Sequence, residues 1–331
     1  MKIAVLGAGA WGTALAISLA TRHHITLWAR DAAQVSTMSA ARANQRYLPE
    51  IKFPDALALT ADLALALVDA ELIILAVPVS GFRPMLQYLA TLPRKIPVVW
   101  LCKGFEAGTS LLPHQIAAEI LPADYPRAVL SGPSFALEVA RSLPTALTLA
   151  AFDVDFAQRT AQALHHSRLR IYSSSDVVGV EVGGAIKNVL AIAAGICDGM
   201  SLGYNARAAL LTRGLAEITR FGLQLGGKSE TLGGLSGAGD LILTCTGDLS
   251  RNRQVGMLLA QNKQLRNILE DLGHVAEGVY TAREVHWIAQ RVGVDMPICA
   301  AVYHVLYENM PVSDAVEALL NRQPSNEFTS A

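Results

Sequence analysis

Hydrophobic residues in the first half of the chain form short, unbroken runs, separated by stretches whose apolar positions recur with helical spacing. Unbroken apolar strands alternating with helices are typical of a parallel sheet covered on both faces. After a first apolar run at residues 3–6, the predicted strands are Ile25–Ala29, Leu72–Val77, Val98–Cys102, Ala128–Leu130 and Thr145–Ala150. Predicted helices between them are Thr13–Thr21, Gly81–Ala90 and Leu111–Ile120.

The pattern changes after Ile171–Tyr172. Residues 173–176, Ser-Ser-Ser-Asp, are interpreted as a linker and a helix N-cap. Beyond them only helical periodicity remains, so we predict an α/β domain over residues 1–175 and an all-α domain over residues 176–331. The predicted helices of the second domain are 176–200, 205–224, 240–246, 252–261, 266–272, 280–291, 297–308 and 313–320.

Three glycines follow the first apolar run directly and precede a helix rich in Ala and Leu. Gly7 allows a tight turn, Gly9 lets the backbone approach a pyrophosphate, and Gly12 lets helix and strand pack closely. The free N–H groups at the helix start favour negative charge. This predicts a dinucleotide-binding turn. A secretory signal is disfavoured, because each glycine costs an apolar helix about 1 kcal/mol.

Composition narrows the possible partners of this chain of 331 residues. Apolar residues make up 52% and charged residues 17%, and the net charge is −1 without a basic block, which disfavours nucleic acid. Four widely spaced cysteines predict buried, reduced thiols in a cytoplasmic protein, not disulfides or a metal site; they are Cys102, Cys197, Cys245 and Cys299.

One segment, Val177–Cys197, is apolar enough to resemble a membrane span. Glu181 and Lys187 lie inside it, and no cluster of charges flanks it. We therefore predict a buried core helix there, and no membrane span.

The residue after the second strand bears on the choice of dinucleotide. NAD-binding chains commonly place an acid there to hold the ribose 2′-hydroxyl, whereas Arg30 occupies the position here. An arginine pairs with a 2′-phosphate, so NADP is predicted to be accepted and preferred. Two alternatives remain open: Asp31 serves the hydroxyl, or Arg30 is a solvated loop residue.

Two lysines are candidates for chemistry. Lys187 lies in an apolar helix, where an ammonium group is costly unless it is paired or used, and Gly183 and Gly184 leave room one turn earlier. We predict a catalytic lysine; the alternative is a structural, ion-paired one. Lys103 follows the strand Val98–Cys102, and ligands bind at the carboxyl ends of parallel strands.

Three further segments contain candidate ligand groups. Gly132 and Ser134 follow another strand, where Ser134 either contacts a ligand or only caps a helix. The glycine-rich segment 233–239 is interpreted as a close-packed turn that presents Asp240 to Lys187. In residues 250–252 a capping Ser250, with Arg251 and Asn252 in the first helical turn, predicts a phosphate site.

Together these motifs resemble the bacterial-type NAD(P)-dependent glycerol-3-phosphate dehydrogenase family over nearly the whole chain. Ala10 stands where the family often has serine, and Arg30 occupies a variable family position. The matching segments are Gly7–Gly12, Asn44–Pro49, Lys103–Gly104, Ser131–Ala136, Gly183–Asn188, Asn205–Arg207, Gly237–Asp240, Leu243–Thr246, Ser250–Arg253 and Val275–Gly278.

The resemblance implies reversible hydride transfer between NAD(P)H and dihydroxyacetone phosphate, which yields sn-glycerol 3-phosphate for phospholipid synthesis. It implies that Lys187 exchanges the proton, that Lys103 polarises the ketone and contacts both ligands, and that the protein is a homodimer. Implied substrate contacts are Lys103, Gly132, Ser134, Lys187, Asn188, Asp240, Ser250, Arg251 and Asn252. Implied cofactor contacts, besides Gly7, Gly9 and Gly12, are Ala10, Trp11, Arg30, Lys103, Ala136, Arg251, Val275 and Glu277.

Two other functions remain as alternatives. A dehydrogenase of unphosphorylated β-hydroxy acids would also use a Lys-Asn pair in an apolar helix, but Arg251 disfavours it. A dinucleotide sensor without turnover is disfavoured by the set Lys103, Lys187 and Asp240.

Overall fold

The N-terminal unit is built on an eight-stranded sheet. The computed structural model describes residues 1–272 and 276–323. Its strands in chain order are β1 (Lys2–Leu6), β2 (His24–Trp28), β3 (Ala43–Asn44), β4 (Leu48–Lys52), β5 (Leu57–Thr60), β6 (Leu72–Leu75), β7 (Val98–Trp100), β8 (Arg127–Ser131), β9 (Thr145–Ala150) and β10 (Leu169–Ser174). The sheet order is β10-β9-β8-β7-β6-β1-β2-β5, and β3 and β4 form a separate hairpin.

Strand register brings the candidate ligand-binding segments to one edge of this sheet. β1 pairs in parallel with β2 and β6, with Leu6 opposite Trp28 on one side and Leu75 on the other. β7 continues the parallel set beside β6, with Trp100 opposite Leu75. The carboxyl ends of these strands are therefore level, which is where open α/β sheets bind ligands.

The predicted parallel strands are present, with one exception in direction. β9 runs antiparallel to β8, since the connection between them contains only the short helix Ala136–Ala140 and no long crossover helix. Neither β5 nor the β3–β4 hairpin was predicted. The sequence of β4, Leu-Pro-Glu-Ile-Lys, lacks the apolar run of a buried strand, and its middle residues are exposed.

Helices connect these strands and cover the sheet. The unit's core is formed by apolar residues of the strands together with helix residues such as Leu15 and Leu164. The helices are α1 (Ala10–Leu19), α2 (Ala32–Ala41), α3 (Leu63–Leu67), α4 (Val79–Ala90), α5 (Pro113–Ile120), α6 (Ala136–Ala140) and α7 (Val154–Leu164).

The C-terminal part is helical throughout its described residues, as predicted. Ser173 and Ser174 belong to β10, so the interpretation of these two as a linker was wrong. The helices are α8 (Val177–Gly199), α9 (Gly203–Gln224), α10 (Ser229–Leu232), α11 (Asp240–Thr246), α12 (Arg251–Ala260), α13 (Leu265–Leu272), α14 (Glu277–Val292), α15 (Pro297–Tyr307) and α16 (Val312–Leu320), with a π-helical turn at Leu235–Gly239.

The apolar helix α8 is the centre of this unit's core. It is the one helix of the described chain that is long and apolar enough to cross a membrane, and 94% of its most apolar window is buried. Its apolar residues between Val182 and Ile196 belong to one core cluster with residues of α9, α11, α12, α14 and α15.

Contacts between residues divide the chain into two compact units. The first contains residues 1–103 and 113–177, and the second contains residues 104–112 and those from 178 onward. The loop 104–112 belongs to the helical unit because Phe105 packs edge-on against Phe221. The fully buried Glu284 of α14 also binds this loop, accepting hydrogen bonds from the Ser110 hydroxyl at 2.6 Å and from Gly108 N at 3.4 Å.

Candidate active site

The turn between β1 and α1 has the geometry that its three glycines predict. Gly7 has φ +123°, which favours glycine, and a Cβ on Gly12 would lie 2.0 Å from the Gly7 carbonyl oxygen. A Cβ on Gly9, by contrast, would meet nothing within 4 Å. Gly9 is the N-cap of α1 and has no side-chain capping bond, so this helix start is open to an anion.

The neighbouring cofactor candidates differ in exposure. Trp11 is half-buried and packs against the sheet core, and Ala10 is also half-buried. Arg30 is exposed after β2. The Asp31 carboxylate accepts from Ala33 N at 2.8 Å and caps α2, so it already has a structural role.

Lys103 lies beyond the end of β7, and its Nζ donates to the Gly132 carbonyl oxygen at 3.3 Å. The sequence therefore correctly places Lys103 and Gly132 at neighbouring strand ends. Ser134 does not cap a helix, contrary to that alternative. Its hydroxyl donates to the Gly132 carbonyl at 3.0 Å, and the N-cap of α6 is Phe135, followed by Ala136.

Lys187 is buried within the helical unit, with 7% of its surface exposed. Its Nζ makes a hydrogen bond and ion pair with Asp240 Oδ1 and donates to Thr244 Oγ1 at 2.9 Å. Asp240 is 1% exposed and begins α11. The predicted pairing of Asp240 with Lys187 is thus present. Thr244 was missed, although its position one turn after Asp240 could have indicated it.

Close backbone approach makes this pair possible. A Cβ on Gly183 would lie 2.5 Å from the Ser236 carbonyl oxygen in the π-helical turn. Gly183 and Lys187 are one turn apart on α8, and Ser236 and Asp240 are separated by the same four positions. The small residue therefore lets the turn approach α8, and the next turn of each helix brings the ammonium group to the carboxylate.

Cys245 lies beside this pair on α11 and is buried. Burial, which disfavours the thiolate, raises the pKa of Cys245 to about 12. This cysteine is therefore a neutral thiol at physiological pH, and the ionisable groups of the cluster are Lys187 and Asp240.

The start of α12 has the features predicted for a phosphate site. Ser250 caps the helix by accepting from Arg253 N at 3.3 Å. Arg251 is exposed in the first turn, whereas Asn252 is buried. Asp198, which the sequence did not indicate, binds Arg253 at 2.7 Å. An exposed cation beside free helix N–H groups is able to bind a dianion.

Amide side chains connect this helix start to α8 and α14. Asn252 Nδ2 donates to Asn188 Oδ1 at 3.0 Å, and Asn252 Oδ1 accepts from Gly278 N at 3.1 Å. Asn188 follows Lys187 directly, and Glu277 is the first residue of α14. Val275, the remaining cofactor candidate, lies outside the described residues.

A Gly-rich turn at the carboxyl ends of a mostly parallel sheet, followed along the chain by a helical unit with a buried lysine, is typical of the class of dinucleotide-dependent oxidoreductases. Two family descriptions match this chain: the N-terminus of NAD-dependent glycerol-3-phosphate dehydrogenase at residues 2–157, and the C-terminus of the same enzyme at residues 176–317.

Individual proteins agree with these matches. A glycerol-3-phosphate dehydrogenase [NAD(P)+] of Thiobacillus denitrificans is 60% identical, over 99% of this chain and all of its own. One from Nitrosomonas eutropha is 59% identical over 99% of each. The crystal structure of glycerol-3-phosphate dehydrogenase from Coxiella burnetii has a TM-score of 0.93 and 42% identity, covering 97% of this chain and 99% of its own. The chain belongs to the NAD-dependent glycerol-3-phosphate dehydrogenase family.

The contrast between Gly9 and Gly12 can be tested with two alanine substitutions. We expect Gly9→Ala to fold normally, since φ is −74° and the added methyl meets no atom, but to raise the Kd for NADPH about tenfold or more by filling the space of the pyrophosphate. Gly12→Ala should instead lower the free energy of unfolding by about 1–3 kcal/mol or more, from overlap with backbone. Thermal unfolding measures the stability of each variant, and fluorescence titration measures its Kd for NADPH. An unchanged Kd in Gly9→Ala contradicts the assignment of the glycine turn as the pyrophosphate site.

Proposed function

We propose that this chain catalyses reversible hydride transfer between NAD(P)H and dihydroxyacetone phosphate, giving sn-glycerol 3-phosphate for phospholipid synthesis. The observation that carries the proposal is the buried Lys187–Asp240 pair, within a unit that also presents an exposed Arg251 at a helix start. Reduction of a phosphorylated ketone requires a proton donor and a site for the phosphate, and these groups supply both.

In the proposed reduction, Lys187 donates the proton to the oxygen that develops negative charge, and accepts it in the reverse direction. Asp240 holds the ammonium group in place, and the Thr244 hydroxyl accepts its second hydrogen bond at 2.9 Å. Burial of the pair limits competition from water, which strengthens its electrostatic effect on the transition state. Lys103 is proposed to polarise the ketone oxygen as a second cation.

The substrate phosphate is proposed to bind at the start of α12. Ser250 orients this helix end, Arg251 supplies a guanidinium fork, and Asn252 completes the set. Asn188, Gly132 and Ser134 are the remaining proposed substrate contacts. The Gly132 carbonyl already accepts from both Lys103 and Ser134, so these three form a preorganised group within the N-terminal unit.

The residues of the glycine turn fit a dinucleotide. The open space at Gly9 and the uncapped start of α1 suit a pyrophosphate, and the bound nicotinamide would supply or accept the hydride. We propose that Ala10, Trp11, Arg30, Lys103, Ala136, Arg251 and Glu277 contribute further contacts, with Val275 outside the described residues. A homodimer and a cytoplasmic location stay predictions for this chain.

The role of Lys187 is tested by Lys187→Met, which keeps an unbranched side chain, shorter by one atom, and removes the ammonium group. We expect kcat to fall about 10²–10⁴-fold, because the general acid is lost, while the Kd for NADPH is unchanged. Since Asp240 would be left as an uncompensated buried charge, the double variant Lys187→Met/Asp240→Asn should regain stability without regaining turnover. Retention of more than about a tenth of kcat in the folded double variant contradicts the assignment.

The phosphate site is tested by Arg251→Ala. Because Arg251 is also a proposed cofactor contact, both assays are run at saturating NADPH. Loss of charge-assisted hydrogen bonds should raise the KM for dihydroxyacetone phosphate about 10–100-fold and leave the weak turnover of unphosphorylated dihydroxyacetone unchanged. Arg266→Ala is the matched control, because Arg266 is also an exposed arginine in a first helical turn of the same unit. Equal KM values for Arg251→Ala and the parent enzyme would refute the phosphate role.

Preference for NADP is proposed to depend on Arg30. We expect Arg30→Ala to lower kcat/KM for NADPH about tenfold and to leave that for NADH nearly unchanged, since only NADPH has a 2′-phosphate. Arg168→Ala serves as the control: Arg168 is exposed and precedes β10, at the far edge of the sheet from β2. Steady-state assays with both cofactors measure the ratio, and an unchanged preference removes the assignment.

A further inference from the structure

The hairpin β3–β4 contains Asn44, a buried residue to which no step of the proposed reaction assigns a role. Asn44 is 1% exposed. Its Nδ2 donates to the Ala8 carbonyl oxygen at 3.0 Å and to Thr13 Oγ1 at 2.8 Å. Ala8 lies inside the glycine turn and Thr13 lies in α1 just after it, so one amide group binds both sides of the turn.

The backbone of Asn44 is itself held firmly. Asn44 pairs with Leu48 across the hairpin, and its carbonyl accepts from Tyr47 N at 3.2 Å. Leu48 is buried in the core of the N-terminal unit, which anchors the hairpin. The fold therefore brings a rigid side-chain donor to the glycine turn from a segment more than thirty residues away in sequence.

The Ala8 carbonyl has a second side-chain donor. Gln34 Nε2, from α2, donates to the same oxygen at 3.2 Å. In a planar trans peptide the carbonyl and the following N–H point in opposite directions. Two donors on the Ala8 oxygen therefore also fix the direction of the Gly9 N–H, at the residue whose surroundings are open.

We propose that Asn44 is a positioning residue that orients the Ala8–Gly9 peptide for the pyrophosphate of NAD(P)H. The inference rests on the proposed role of the glycine turn as the pyrophosphate site. Asn44 acts through the backbone and does not touch the reacting atoms. Its loss therefore changes the affinity for the cofactor and leaves the chemical step intact.

The substitution Asn44→Asp keeps the shape of the side chain but adds a buried carboxylate beside the proposed anion site, so it is paired with Asn44→Leu, which has a similar shape, no charge and no donor. A carboxylate oxygen in place of Nδ2 faces the Ala8 carbonyl, which is also an acceptor, so that hydrogen bond is lost. The Thr13 hydroxyl is able to rotate and donate to the carboxylate, so the second contact survives. We expect the Kd for NADPH to rise in both variants; a rise confined to Asn44→Asp reflects charge repulsion and overturns the proposal.

In Asn44→Asp we expect the Kd for NADPH, measured by titration of protein fluorescence, to rise about tenfold. At saturating NADPH, kcat and the KM for dihydroxyacetone phosphate should stay within about twofold of the parent values. An unchanged Kd overturns the proposal. A fall in kcat with no change in Kd overturns it as well, since it places Asn44 in the chemical step.

Arg42→Met separates positioning from general stability. Arg42 donates to the carbonyls of Leu57 at 3.2 Å and Pro54 at 2.5 Å, and neither acceptor belongs to the glycine turn. We expect this variant to have a lower Tm and an unchanged Kd for NADPH. If its Kd rises as much as in Asn44→Asp, the effect reflects stability of the unit, and the proposal is wrong.

Gln34→Leu gives a second test if Asn44→Asp fails to fold. It removes the other donor to the Ala8 oxygen from a partly buried position, so we expect the Kd for NADPH to rise about threefold. No rise overturns the proposal.

Gly9→Ala separates a failure of the proposed pyrophosphate site from a failure of the role proposed for Asn44. If it leaves NADPH binding intact, the glycine turn is not the pyrophosphate site; if it weakens binding while Asn44→Asp does not, only the role of Asn44 is wrong.

Discussion

The buried ion pair of Lys187 and Asp240 is the interaction on which the proposed chemistry of the helical unit depends. Removing two charges from water costs several kcal/mol for each ion, and only close contact with further hydrogen bonds offsets this. Thr244 supplies such a bond to the ammonium group. Hydrophobic residues of similar volume would often be as stable or more so, and this supports the proposal that the pair serves a chemical role.

In each unit, a glycine without a side chain lets two backbone segments approach closely, and this places the candidate functional groups. At Gly12 it lets α1 pack against the Gly7 peptide, so that the helix start faces the turn. At Gly183 it lets the π-helical turn reach α8, so that Asp240 meets Lys187. In each case a methyl group would separate the elements, and a local packing constraint therefore determines the position of a charge or a donor.

Hydrophobic periodicity was sufficient to predict most of the architecture and several of these contacts. The long helices were recognisable because each buries a continuous apolar face, and the π-helical turn was indicated only as a close-packed segment. The direction of individual strands and the partners of individual side chains were not predictable from the sequence. β9 runs antiparallel to β8, and the Ser134 hydroxyl donates to the Gly132 carbonyl and does not cap a helix. Asn44 was visible only as part of a motif, because its role depends on contacts between residues distant in sequence.

Amide hydrogen bonds connect the helices that carry the groups proposed for proton transfer and for phosphate binding. Asn188 adjoins Lys187, the proposed proton donor, and its side-chain oxygen accepts from Asn252 in the first turn of α12. Asn252 also accepts from the backbone at Gly278 near the start of α14. These amides carry no net charge, so they connect α8, α12 and α14 without burying a further ion. If Arg251 binds the phosphate as proposed, these bonds hold the start of α12 in place relative to Lys187 on α8, which favours a substrate of one length over longer or shorter ones.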